Sequence, residues 1–164
     1  MNRGAVLAAF GLIGLGVLFL IFNILGVSSD TTWPVIFIAS GALCFLPAFL
    51  WPGMRGPLAG LAIPGALVIL LGLIFQYNVL SHDWNSWAYA WILLTGGVGL
   101  GLALAGWIGS WGGGIITIGW WLFILSVGVF SAFATLFGGP ALRTVAPVFL
   151  ILFGVWLFVR SFRR

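Results

Sequence analysis

Charge is what this sequence lacks most. Its two acidic and six basic residues make up five per cent of 164, where a soluble domain carries about a quarter. Lysine is absent, so every basic group is an arginine. A folded chain with so little polar surface does not stay dissolved, which excludes an ordinary soluble domain. Cysteine occurs once, at Cys44 within an apolar run, so no disulfide framework or cysteine metal site can form inside one chain. The centres of the apolar runs contain no Asp, Glu, Lys or Arg. That argues against proton relays, ion pathways and coupled transport. The only histidine, His82, and both carboxylates, Asp30 and Asp83, fall in the polar breaks between runs. No intramembrane serine or cysteine therefore has a base beside it, and no catalytic, metal or cofactor site is expected. Arginines scattered along the chain make no basic patch, so no nucleic-acid partner is expected.

What remains is apolar length. Hydrophobic residues make up 63% of the chain and its mean hydropathy is +1.27, which points to a lipid bilayer as its solvent. Apolar runs fall at about 4–27, 34–51, 57–80, 86–108, 113–137 and 144–160. Each is long enough to cross about 30 Å of hydrocarbon at about 1.5 Å per residue. The first continues for about 24 residues, well past a signal-peptide core of roughly 7–15, and reads as a retained helix. With both termini cytoplasmic, the inner side carries Arg3, Arg55, Arg160, Arg163 and Arg164, and the outer side Arg143. The arginine bias favours that orientation. It also puts Trp33, Trp84 and Trp87 near the outer interface and Trp51, Trp107, Trp111 and Trp156 near the inner one, as belts.

The runs repeat. Pro34, Val35, Ile38, Gly41 and Phe45 correspond to Pro147, Val148, Ile151, Gly154 and Phe158, and "GLIGLG" from Gly11 to Gly16 corresponds to "GIITIG" from Gly114 to Gly119. A weaker middle copy aligns Gly72 and Phe75 with Gly16 and Phe19, and Gly96 with Gly41. The expected fold is an all-α integral membrane domain over 1–164, with six transmembrane helices as three tandem hairpins, about 4–51, 57–108 and 113–160. All three hairpins share one orientation, unlike the inverted repeats of many transporters.

The sequence "GLIGLGVLFLIFNILG", a polar link and "WPVIFIASGALCFL" resemble the membrane hairpin of LiaI/LiaF-type bacterial envelope proteins over residues 11–46, and partly over 113–159. The resemblance implies a multi-pass protein of the bacterial cytoplasmic (inner) membrane, a regulator or accessory protein of envelope stress without a catalytic motif. Against LiaF, no soluble carboxy-terminal domain is expected within these 164 residues, and the hairpin is multiplied.

Several local features carry further expectations. Pro34, Pro57 and Pro147 read as first-turn prolines, and Pro64 as a kink two turns into its span. Gly97, Gly101, Ala105 and Gly109 recur every four residues, a small-residue face that lets another helix approach, either within the chain or from a partner. Gln76, Tyr77 and Asn78, with Asn23, could line a polar vestibule. Most intramembrane hydroxyls and amides are expected to bond helix carbonyls. His82 sits in an outer break rather than in a helix facing a haem or pigment cavity, and reads as a solvated loop residue. Two functions fit. The first is a regulator or accessory subunit that packs against other membrane subunits or itself, and the second is a small channel or facilitator.

Overall fold

The computed structural model describes residues 29–138 continuously; outside them it describes 9, 13, 14, 16, 17, 20, 21, 23, 24 and 26, and 143, 144, 147, 148, 151, 152, 154, 155 and 158. Every regular element among the described residues is helical. In chain order they are α1 (Ser29–Leu43), α2 (Leu46–Leu50), α3 (Arg55–Leu58), α4 (Ala62–Ser81), α5 (Trp87–Ala90), α6 (Ile92–Gly109) and α7 (Gly113–Phe137), with single 3-10 turns at Pro52–Met54, Ala59–Leu61 and Trp84–Ser86.

Four stretches are long and apolar enough to cross a membrane: Asp30–Leu50, Pro52–Ser81, Ile92–Gly109 and Gly113–Phe137. They match the second to fifth apolar runs. The first and sixth runs lie outside the continuously described residues, and so do the full hairpins 4–51 and 113–160. Individual described positions in those runs, among them Gly16, Asn23, Ile151 and Gly154, are helical.

Prolines place the breaks, though not all where the sequence suggested. Pro34 is inside α1 and almost fully buried, because that helix begins at Ser29 rather than at the proline. Pro47 cannot donate to the carbonyl of Leu43, and α1 ends there before α2 resumes. The α-helical pattern expected to kink at Pro64 is interrupted in the turn before it, at Ala59–Leu61, where the missing amide hydrogen of Pro64 leaves the Gly60 carbonyl without its helical donor, and Pro64 stands in the first turn of α4.

The spans form a row: α1 packs on α4, α4 on α6, and α6 on α7. The row's interior is made of small residues. Ala48, Ala59, Ala62, Ala66, Ala103, Ala105 and Ala134 are all buried, while Ile118, Leu125, Leu136 and Phe137 are more than half exposed. A soluble core is built the other way round. Lipid tails are as apolar as leucine, so in a bilayer such helices are held by close van der Waals fit and by hydrogen bonds between them, and glycine and alanine allow the fit. At the end of the row carrying residues 82–91, Phe75 lies 5.0 Å from Trp33 of α1 and stacks on Trp87 of α5 at 5.4 Å, joining three elements through their rings.

Candidate packing faces and polar cluster

The ladder on α6 faces α4. A Cβ placed on Gly101 would stand 2.6 Å from the Ile63 Cα and 2.9 Å from the Ala62 carbonyl oxygen; one on Gly97 would stand 3.1 Å from the Leu67 Cα. Ala105 is fully buried, and a Cβ on Gly109 would meet the Ala59 Cβ at 2.9 Å. The helix has a second small face that the four-residue spacing did not reveal. Gly96, Gly99, Ala103 and Gly106 point at α7, where a Cβ on Gly99 would lie 2.6 Å from the Phe123 nitrogen and 2.7 Å from the Gly119 carbonyl. The doublets Gly96-Gly97 and Ala105-Gly106 were the available signal. Neighbouring residues diverge by about 100° around a helix, so small doublets serve two sides at once.

Gln76, Tyr77 and Asn78 share a stretch of sequence and have three different sets of neighbours. The Gln76 Nε2 donates to the Thr31 carbonyl of α1 at 3.1 Å. Tyr77 lines an apolar cavity of about 210 Å³ together with Leu70, Leu73, Leu93 and Phe130. Asn78, with no exposed surface, meets Ser86 of the following turn, whose hydroxyl donates to Oδ1. That hydroxyl also lies 2.8 Å from the Asp83 carbonyl. One proton serves one acceptor at a time, so Ser86 links α4 to the loop by alternating between them. Asn23 is exposed on the amino-terminal segment. The three neighbouring side chains diverge because α4 is a helix, and the cavity lining includes neither Gln76 nor Asn78.

Three buried polar atoms have no hydrogen-bond partner among the described residues: Gln76 Oε1, Asn78 Nδ2 and the Tyr89 hydroxyl. Burial pushes the Tyr89 phenol above its ordinary pKa, and the nearby Asp83 and Tyr77 push the same way. Deeper in the bundle, the Ser126 hydroxyl of α7 donates to the Ile92 carbonyl of α6, a side chain tying one span to another. Ser40, Thr117 and Thr135 bond carbonyls of their own helices.

At the other end of the row Trp111 does more than sit at an interface. Its indole nitrogen donates to the Gly56 carbonyl at 2.9 Å, tying the α6–α7 link to the turn before α4. The link is tight because Ser110 adopts a left-handed conformation at φ 54°, letting the Trp111 amide reach the Gly106 carbonyl at 3.0 Å. His82 closes α4 in the same left-handed conformation and is exposed. Cys44 is a half-buried free thiol near the Ser40 carbonyl. Among the described residues no group of three metal-ligating side chains forms.

No family model, curated protein or solved structure matches the chain.

Proposed function

We propose that the chain is a multi-pass membrane protein with six spans and both termini cytoplasmic, acting through helix packing as a small regulator or as an accessory or scaffold subunit of a membrane assembly. The observation that carries this reading is how the interior is used. Glycines at its helix crossings stand so near the neighbouring backbone that a Cβ would not fit, and several of its polar side chains tie one element to another, Gln76 to α1, Ser86 to Asn78 and Ser126 to α6. Side chains employed in this way hold neighbouring helices in register. The likeness to LiaI/LiaF-type hairpins supports a bacterial cytoplasmic membrane as the setting, and the packing reading does not depend on it.

Affinity capture of the tagged full chain from native membranes in mild detergent, paired with a flux assay on the same protein in liposomes, tests the reading. Stoichiometric co-purification of membrane subunits, or of a second copy, with solute leak no faster than from empty liposomes is the expected result. Saturable solute flux abolished by crosslinking α4 to α6 would overturn it in favour of a facilitator.

A further inference from the structure

Two helix pairs in the row make the same contact. In α1·α4, a Cβ on Gly41 would meet the Gly65 carbonyl and the Ile69 nitrogen, and one on Gly72 would meet Ile38. In α6·α7, a Cβ on Gly99 would meet the Gly119 carbonyl and the Phe123 nitrogen, and Gly96 faces Ser126. In both pairs the first helix contributes two positions three residues apart and the second two positions seven apart, with backbone against backbone where glycines cross. The pairs are therefore copies of one interface. By contacts, Gly41 corresponds to Gly99 and Gly65 to Gly119, a different register from the middle copy read in the sequence.

The same spacing recurs in the two terminal runs, with the glycines and the isoleucine identical and the other two positions apolar and polar in turn. Ile151 and Gly154 repeat Ile38 and Gly41 of the first partner, while Gly16, Leu20 and Asn23 repeat Gly119, Phe123 and Ser126 of the second. Each end of the chain thus holds one half of an interface that the interior forms twice. These halves are open in the structure: a Cβ on Gly16 or Gly154 would meet nothing within 4 Å, and Leu20, Asn23 and Ile151 are exposed. The described spans form a row in which α1 and α7 make no substantial contact, so the row does not close on itself.

We infer that the Ile151–Gly154 face of one copy docks on the Gly16–Asn23 face of a second copy of this chain, continuing the row head to tail. This rests on the proposed reading that both terminal runs span the membrane. Direction agrees: with alternating spans, the last run is parallel to α6 and the first to α7, so an antiparallel pair forms between copies that share one membrane orientation. Asn23 supplies a second, independent reason. It is an exposed amide in an apolar run, at the position where Ser126 donates across to the Ile92 carbonyl. In hydrocarbon such a group needs a partner, and the carbonyl corresponding to Ile92 on the last run is that of Pro147. The contact is heterologous, using different faces of the two copies, and generates a ring or a file.

The test uses two differently tagged copies of the full chain, both carrying Cys44→Ala, one with Gly16→Cys and the other with Gly154→Cys, co-expressed and oxidised in native membranes. A covalent dimer bearing both tags is expected, and none when Gly14→Cys, on the opposite side of the helix, replaces Gly16→Cys. A link formed inside single chains carrying both cysteines would overturn the inference by showing that the ends close on each other. Equal linking from Gly14→Cys would overturn it as random collision. Absence of any dimer overturns it as well, and a charged, membrane-impermeant maleimide then separates the causes. If Gly16→Cys is protected from the reagent, docking alone fails; if it is labelled, the spanning reading fails with it. Gly154→Leu should convert the purified assembly to single copies by light scattering and leave its melting temperature unchanged, because the added side chain meets nothing within its own copy.

Discussion

At Gly101 a single absent methyl group sets the distance between two spans. Leucine there would place carbon within 2.6 Å of the Ile63 backbone, which cannot move aside as a flexible side chain could. Gly101→Leu is expected to cost about 1–3 kcal/mol, the usual range for an overfilled core, and to lower the melting temperature of the purified protein in detergent. Gly128 provides the contrast on α7, since a Cβ there meets nothing within 4 Å; Gly128→Ala should leave stability unchanged or raise it slightly through helix propensity. Tyr89 makes the opposite case among polar residues. Its hydroxyl is buried without a partner among the described residues, so Tyr89→Phe should hold or raise stability near neutral pH by about 1 kcal/mol. Because burial raises the folded phenol pKa, the residue carries no ionisation penalty below the unfolded value of about 10, and folding stability falls as pH rises from there through the folded value. Thermal melts from pH 8 to 12 should show that alkaline loss in the parent and a smaller one in Tyr89→Phe; equal losses would place the titration elsewhere.

Helices and their links obey more than hydropathy. The apolar runs marked where α1, α4, α6 and α7 would lie, since hydropathy is summed residue by residue and needs no partner. Breaks were less legible. Pro64 marked an interruption in the third span, but the backbone yields one turn earlier, at Ala59–Leu61, because a proline's constraint acts on the turn before it. Trp111 looked like an interfacial anchor, and its bond to Gly56 joins two links about 55 residues apart, a relation that hydropathy does not encode. Trp111→Phe keeps the ring and removes the donor. It should cost about 0.5–1.5 kcal/mol and free the Trp51–Arg55 turn, read as faster tryptic cleavage after the exposed Arg55. An unchanged cleavage rate would mean that the turn is held by something other than the indole.

For the molecule in its membrane, orientation is the first thing to establish. The arginine distribution argues for cytoplasmic termini and for cytoplasmic turns at 52–56 and 109–112. A reporter fused after Arg164 should be active only on the inner side, and activity only outside would invert the topology together with every assignment of inner and outer ends. The row of spans also makes a prediction about independence. Gly41 and Gly99 sit at equivalent crossings in separate pairs, so Gly41→Leu and Gly99→Leu should destabilise additively, as distant sites do. A double variant clearly less stable than the sum would show that the two crossings are coupled through α4 and α6.

Composition alone points to lipid as the solvent of this chain, because five per cent charge and a mean hydropathy of +1.27 are far from what a soluble domain carries. The positions of the four described spans and the Gly97–Gly109 face of α6 follow from the same local reading, since they depend on side-chain size and spacing along one helix. Which face meets which helix was settled only in three dimensions. In hydrocarbon every apolar face is equally content, so partner and register are chosen by ångström-scale fit, Gly41 against Gly65 and Gly99 against Gly119. Gln76, Tyr77 and Asn78 show the same division. Their polarity is written in the chain, but helical twist sends them to α1, to an apolar cavity and to the Ser86 loop, and no reading of three adjacent letters distinguishes those neighbours.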